Sequence, residues 1–320
     1  MSKIKNVFYI IIIRSAIFIG ILLLVIANMS YIAKLNKTKV PLEKNKMIAI
    51  INEPSMPEKE FKAFSQGIKD GLLFLGLHSN ISSVDFNTHF PDTVLTINTD
   101  RTLKIIKEQP NCRVIGFNFI DKKSKNYTGI YGGIPWDKNF HLYQKLIPNL
   151  KHLGVIYDEK NLDSKRQLEQ LSRFIEKNNK TENKNGKIAI YALPTIKTID
   201  EFEKQIETIP PIDALYLVER DKAAIDQLKK IFSLCLENNI PIIGGGFSGP
   251  QIGTVASITF SPYKIGRKIS KIINTLNKKN LRNNSGIIRQ KPELYLNIAI
   301  AQRLGIRIPP YIKNQAEKIY

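Results

Sequence analysis

Short apolar runs alternating with amphipathic stretches constrain this chain more than any other feature. MIAIIN (47–52), ISSVDF (81–86), DTVLTIN (92–98) and RVIGFNFI (113–120) read as strands. Between them, Phe61, Phe64, Ile68, Leu72 and Leu75 recur at helical spacing with Gly76 as the stop, and a second helix covers 101–108. After a loop at 121–126 the pattern resumes with helices at 137–146, 164–179, 199–208, 223–238 and 263–277. The strands paired with them are 152–158, 187–193, 213–219, 240–246 and 254–260, followed by ELYLNIAI (293–300). Strands alternating with helices imply parallel βαβ units, and continuous apolar runs suit strands covered on both faces. These are more units than one small sheet accommodates, and they fall into two groups around residues 121–135. The fold class expected is α/β: two doubly wound parallel-sheet lobes joined by a hinge. Small ligands in such sheets bind beyond the carboxyl ends of the strands, here the cleft between lobes.

Ahead of this pattern lies SAIFIGILLLVIANMSYIA (15–33), behind Lys3, Lys5 and Arg14. At about 1.5 Å per residue it roughly spans a hydrocarbon core. A signal peptide has a shorter apolar stretch and then a small-x-small site. Val25-Ile26-Ala27 and Tyr31-Ile32-Ala33 match that site poorly. Residues 1–33 are therefore expected to be a signal peptide or a transmembrane anchor, the uncleaved anchor being preferred, and 34–46 a basic tether with Pro41. Both alternatives put the remainder at the extracytoplasmic or periplasmic face of the membrane, anchored or secreted. Lobe one is expected to comprise 47–126 plus 262–284, and lobe two 127–261 plus 285–320.

The net charge of +20 raises the question of a nucleic-acid partner. The lysines are scattered through Lys/Asn/Ile-rich sequence, with no recognition helix, zinc spacing or aromatic-basic stripe, so none is expected. Cys112 and Cys235 are the sole cysteines, and neither lies near the end of the apolar segment, which excludes a lipidated-cysteine anchor. Two buried free thiols are expected rather than a disulfide.

Catalytic signals are sparse. His78, His89, His141 and His152 lack ligand spacing, so no metal is expected. No Gly-x-Ser-x-Gly elbow occurs. Gly244-Gly245-Gly246 ends a strand without a following Lys-Ser/Thr, and reads as a tight turn lining a cleft rather than a phosphate loop. Tyr131-Gly132-Gly133 reads as a turn where the chain crosses between lobes. Glu53, Asp100, Asp121, Asp158, Glu219 and Asp221 stand at strand ends, where each alone suits a helix cap or solvent. Pointing together into one cleft they suit an ammonium group or an acid/base pair. No catalytic set and no cofactor is expected.

Four segments carry a family resemblance: KLIPNLKHLGVIYD (145–158), DALYLVERD (213–221), NNIPIIGGGFSGPQIGTVASITFSPYKIGRKIS (238–270) and LYLNIAIAQRLGIRIP (294–309). In order and spacing, over roughly 47–315, the chain resembles the substrate-binding proteins of bacterial ABC importers, in the branch that includes binders of tryptophan and related amino acids. FSQGIKDGLLFLG (64–76) looks like that family's first helix, and RVIGFNFID (113–121) and YTG (127–129) like ligand-lining segments. Where the family has Thr-Pro or Ser-Pro, this chain has Asn98, Thr99 and Asp100; Asp221 matches a family aspartate, but Lys222, Ala223 and Ala224 stand where polar residues usually follow it.

The resemblance implies a class I periplasmic-binding-protein fold. It implies a small-molecule ligand, an amino acid among the candidates, and partnership with an ABC permease and its ATPase subunits. The ligand contacts expected are Asn52, Asn98, Thr99 and Asn118 from lobe one, and Tyr157, Glu219, Asp221, Gly245 and Phe247 from lobe two. Asn98, Thr99 and Asn118 are assigned to a carboxylate or amide, Glu219 or Asp221 to an ammonium, and Phe247 or Tyr157 to an apolar side chain. The mechanism expected is hinge closure on the ligand. A membrane-tethered ligand sensor on the same fold is the alternative. An enzyme ranks last, because no nucleophile and base are paired.

Overall fold

The computed structural model describes residues 48–50, 58–74, 81–82, 93–97, 99–120, 124–180, 187–194, 199–218, 222–278 and 286–320. The first elements are β1 (Ile48–Ile50), α1 (Glu58–Phe74), β2 (Ile81–Ser82), β3 (Thr93–Thr96), α2 (Thr99–Glu108), β4 (Arg113–Asn118) and β5 (Tyr127–Tyr131). Next come α3 (Trp136–Leu146), β6 (His152–Tyr157), α4 (Leu162–Lys180), β7 (Ala189–Pro194), α5 (Ile199–Glu207), β8 (Ala214–Leu217) and α6 (Lys222–Glu237). The chain continues with β9 (Ile242–Gly244), α7 (Gly249–Ile252), β10 (Ala256–Thr259), α8 (Pro262–Lys278) and β11 (Gly286–Arg289). It ends with β12 (Glu293–Leu296), α9 (Ile298–Arg303), α10 (Pro310–Lys313) and β13 (Ala316–Ile319).

These elements build two sheets, one per lobe. The first has order β11-β5-β4-β3-β1-β2, every neighbouring pair parallel. The second has order β13-β12-β10-β9-β8-β6-β7, in which only the β10–β12 pair is antiparallel. Val94, Val114, Leu153, Val155 and Ile243 are fully buried, as parallel strands with both faces covered require.

The α/β two-lobe expectation agrees with this architecture, but the expected lobe boundaries do not. Tyr127–Tyr131, expected to open lobe two, lies parallel to β4 with Gly116 opposite Gly129. Gly286–Arg289, also assigned to lobe two, extends the first sheet beside β5, with Ile287 opposite Gly129. A five-residue strand interrupted by glycine and an exposed four-residue edge strand carry little hydrophobic pattern, so sequence periodicity passes over them. The chain therefore crosses between lobes after β5, after β10 and after β11. The apolar segment 15–33 and the tether 34–46 lie outside the described residues, among which no helix is long and apolar enough to cross a membrane.

Lobe one is completed by a helix contributed from far along the chain. α8 packs on α1, with Phe64, Ile68, Leu72, Ile265 and Ile269 buried. The backbones approach closely because glycine stands at the crossing. A Cβ on Gly67 would lie 2.2 Å from the Tyr263 carbonyl oxygen, and one on Gly266 would lie 2.1 Å from that of Phe64. One turn further, a Cβ on Gly71 would lie 1.9 Å from Ser270 Oγ. The Gly-xxx-Gly of α1 thus faces the Gly-xxx-Ser of α8.

In lobe two, β9 and β10 share one register pair, Ile243 with Ala256, and then part. The Tyr143 hydroxyl, on α3, accepts from the Ile258 N–H at 3.0 Å and so satisfies a buried donor beyond that pair.

Cys112 and Cys235 are both buried and neither forms a disulfide, as expected. Burial pushes the Cys235 thiol up from 9.0 to about 12. The neutral thiol is thus the form the fold stabilises, so this contribution is intact below about pH 9 and is lost as pH rises toward 12.

Two outcomes are expected from this packing. In an exposed helix Gly→Ala gains up to ~1 kcal/mol, but Gly67→Ala should destabilise by about 1–3 kcal/mol because backbone must move, read as a lower urea midpoint. Cys235 should resist iodoacetamide at about pH 8 in the native protein and react in urea, read by peptide mass spectrometry.

Candidate functional site

The ends of the first sheet's strands carry a closed polar network. Thr96 Oγ1 and Thr102 Oγ1 are 2.7 Å apart, and Asn118 Nδ2 donates to Thr102 Oγ1 at 2.9 Å. Asn118 Oδ1 accepts from the Tyr127 hydroxyl at 2.8 Å and from the Ile120 N–H at 3.1 Å. Phe119 N–H donates to Thr99 Oγ1 at 3.0 Å. Asn118 and Thr99 are fully buried, so both side chains brace the strand ends from within lobe one. Burial, with the Asp163 carboxylate adding to it, holds the Tyr127 hydroxyl well above the usual phenol range against the opposing Asn118 bond.

Lobe two meets these ends with α4. Its start is fixed locally: Asn161 Oδ1 accepts from the N–H of Asp163 at 2.9 Å and of Ser164 at 3.2 Å, and Ser164 Oγ accepts from Asp158 N–H at 2.8 Å. Side chains three and four apart then share one helix face. Along it, Asp163 Oδ2 accepts from Thr99 N–H at 3.3 Å, Arg166 Nη1 donates to the Phe119 carbonyl at 3.0 Å, and Gln170 Nε2 donates to the Tyr131 hydroxyl at 2.6 Å. Asp163, only 1% exposed, thus places a carboxylate on the amino end of α2, where the helix dipole favours negative charge. The lobes touch at a second place, where Ser248 Oγ donates to Glu60 Oε1 and Lys59 Nζ donates to Gln251 Oε1, each at 2.8 Å.

The glycine run after β9 is a left-handed turn. Gly244, Gly245 and Gly246 have φ of 84°, 75° and 65°. A Cβ on Gly244 would sit 2.4 Å from the Leu217 carbonyl oxygen, which the Gly245 N–H meets at 2.8 Å. Left-handed backbone and close approach explain the three glycines without a phosphate. Phe247 follows, half-buried and edge-on to Tyr295 with ring centres 5.2 Å apart.

The candidates taken from sequence are thus distributed as follows. Thr99 and Asn118 lie at the first sheet's strand ends, Tyr157 closes β6 half-buried, and Gly245 and Phe247 form the turn after β9. Asn52, Asn98, Glu219 and Asp221 lie outside the described residues. Sequence reading missed Asp163, Arg166 and Gln170. Their signal was their spacing on one face of a helix read only as polar and amphipathic. Among the described residues no group of three or more His, Cys, Asp or Glu side chains converges as a metal site would.

A family model described as ABC transporter substrate binding protein matches residues 110–320. A tyrosine-binding protein of Clostridioides difficile is 27% identical over 154 residues, which are 48% of this chain and 42% of that protein. The match thus spans less than half of that relative. The fold resembles the L-Trp complex of an ABC domain from Streptococcus pneumonia, with a TM-score of 0.69 and 19% identity over 87% of this chain and all of that one. It also resembles the ligand-free, open form of a Clostridium difficile substrate binding protein with adhesive properties, with a TM-score of 0.64 and 16% identity over 86% of this chain and 99% of that one. With the family model covering well over half its length, the chain belongs to the ABC transporter substrate binding protein family.

Proposed function

We propose that this chain is an extracytoplasmic binding protein that captures an amino acid between its lobes and, by hinge closure, presents it to the permease of an ABC importer. The observation that carries the reading is the run of hydrogen bonds by which α4 of lobe two meets the carboxyl-end side of the first sheet. Thr99, Phe119 and Tyr131 of lobe one meet Asp163, Arg166 and Gln170 of lobe two through single hydrogen bonds along one face of α4. Such an interface opens cheaply, since one hydrogen bond contributes about 0.5–1.5 kcal/mol net. A ligand with a few kcal/mol of differential affinity for the closed form then shifts the population.

Within this reading the ligand contacts are Asn52, Asn98, Tyr157, Glu219, Asp221, Gly245 and Phe247. Asp221 or Glu219 pairs with the ammonium, and Phe247 or Tyr157 covers the side chain. Thr99 and Asn118, whose side chains are engaged inside lobe one, act by fixing the strand ends rather than by direct contact. The tyrosine- and tryptophan-binding proteins named above support an aromatic amino acid as the first ligand to try.

The test is a melting-temperature screen of the full chain against the twenty amino acids. A ligand at a hundred times its Kd adds about 2.7 kcal/mol of stability. No shift with any of them sinks the amino-acid reading. Asp221→Asn should weaken the responding ligand about tenfold or more, the loss of one charge-assisted hydrogen bond, measured by calorimetric titration. Asp163→Ala should enlarge the ligand-free particle in small-angle scattering while leaving its circular dichroism unchanged. An unaltered radius of gyration would remove Asp163 from the closing interface.

A further inference from the structure

A pocket of about 400 Å³ adjoins the seam between the lobes at its outer edge, beside the chain crossings, where Gln170 meets Tyr131. Tyr131 and Arg289, at the ends of the two outermost strands of the first sheet, form one wall. Trp136 at the start of α3, with Arg173 and Phe174 on α4, forms the opposite wall, and Gln290 lies in the crossing itself. Its size is that of a small-ligand site.

The chemistry of the walls is specific. Two arginines, Arg173 and Arg289, line the cavity. The guanidinium of Arg289 stacks on the Tyr131 ring, 4.6 Å from its centre, and that of Arg173 pairs with Glu169 at 3.3 Å, an exposed contact that solvent weakens. Arginine presents a planar fork that suits a carboxylate. Trp136 and Phe174 add aromatic surface. Gln290 Oε1 is buried without a hydrogen-bond partner among the described residues, which leaves an acceptor waiting for a donor. Asp137, at the rim, adds a second acceptor.

We propose that this pocket is an effector site for a small aromatic carboxylate that also carries a hydroxyl or amino donor. The carboxylate sits between Arg173 and Arg289, the ring lies against Trp136 and Phe174, and the donor reaches Gln290 Oε1. Because the walls belong to different lobes, an occupant holds one lobe angle and thereby alters affinity at the cleft, a coupling that is reciprocal.

Trp136 is the sequence's single tryptophan, so its emission reports on the pocket. The full chain is titrated with 4-hydroxyphenylacetate and, separately, with the neutral 4-hydroxybenzyl alcohol. A saturable change is expected with the acid, and about tenfold weaker or absent with the alcohol. Arg289→Gln and Arg173→Gln, both at exposed side chains, should melt as the parent does and each weaken the acid by a similar factor. The proposal falls if the acid gives no saturable change, if the alcohol binds equally, or if both arginine variants bind as the parent does. It falls also if Asp221→Asn removes the signal while the arginine variants keep it, since the probe then occupies the cleft.

Discussion

The backbone-to-backbone contact between α1 and α8 is the constraint on which the rest of the molecule depends. α1 covers lobe one near the start of the chain, but its partner arrives only after the second sheet has received its central strands. The chain must leave lobe one after β5, return for α8 and β11, and leave again for β12 and β13. Three crossings follow from that one pairing, and they fix the two lobes as neighbours while leaving them separately built. Glycine at the crossing point permits the contact, because a methyl group at Gly67 or Gly266 would meet a carbonyl oxygen at little over 2 Å.

Between the lobes the chemistry changes character. Each lobe is filled by buried apolar side chains, and the Phe117 and Phe260 rings meet edge to face where the lobes join, whereas α4 and the Glu60–Ser248 and Lys59–Gln251 pairs add hydrogen bonds across the cleft. Apolar burial contributes about 25 cal/mol per Å² and adds up to rigidity within a lobe. A handful of hydrogen bonds, each exchanging with water, adds up to only a few kcal/mol. Lobes joined in part by hydrogen bonds of this kind suit a protein whose working parts must move against one another.

How much of this was legible in the sequence depended on the local signal. Apolar strands such as GVIY in β6 and ALYL in β8, and helices with a clean stripe such as Ile265, Ile269, Ile272 and Ile273, announced themselves. The strand YTGIY did not, because a central glycine and short length erase the pattern, and so the lobe boundary was set too early. AEKI in β13 was equally silent, having two charged residues in four. The glycine run 244–246 was rightly read as a turn, though only φ values show that all three residues are left-handed. At the cleft, residue type misled: Asn118 looks like a ligand contact, but both ends of its amide are engaged within lobe one. Asp163 carried no motif of its own, since its role depends on the amino end of a helix in the other lobe.

The distance along the chain between α1 and α8 also sets a clock. About 200 residues separate the end of one from the end of the other, and at 5–20 residues per second a ribosome takes about 10–40 s to supply them. Throughout that interval the glycine face of α1, at Gly67 and Gly71, lacks the α8 backbone that packs on it. Lobe one is therefore finished late, after most of lobe two has been made.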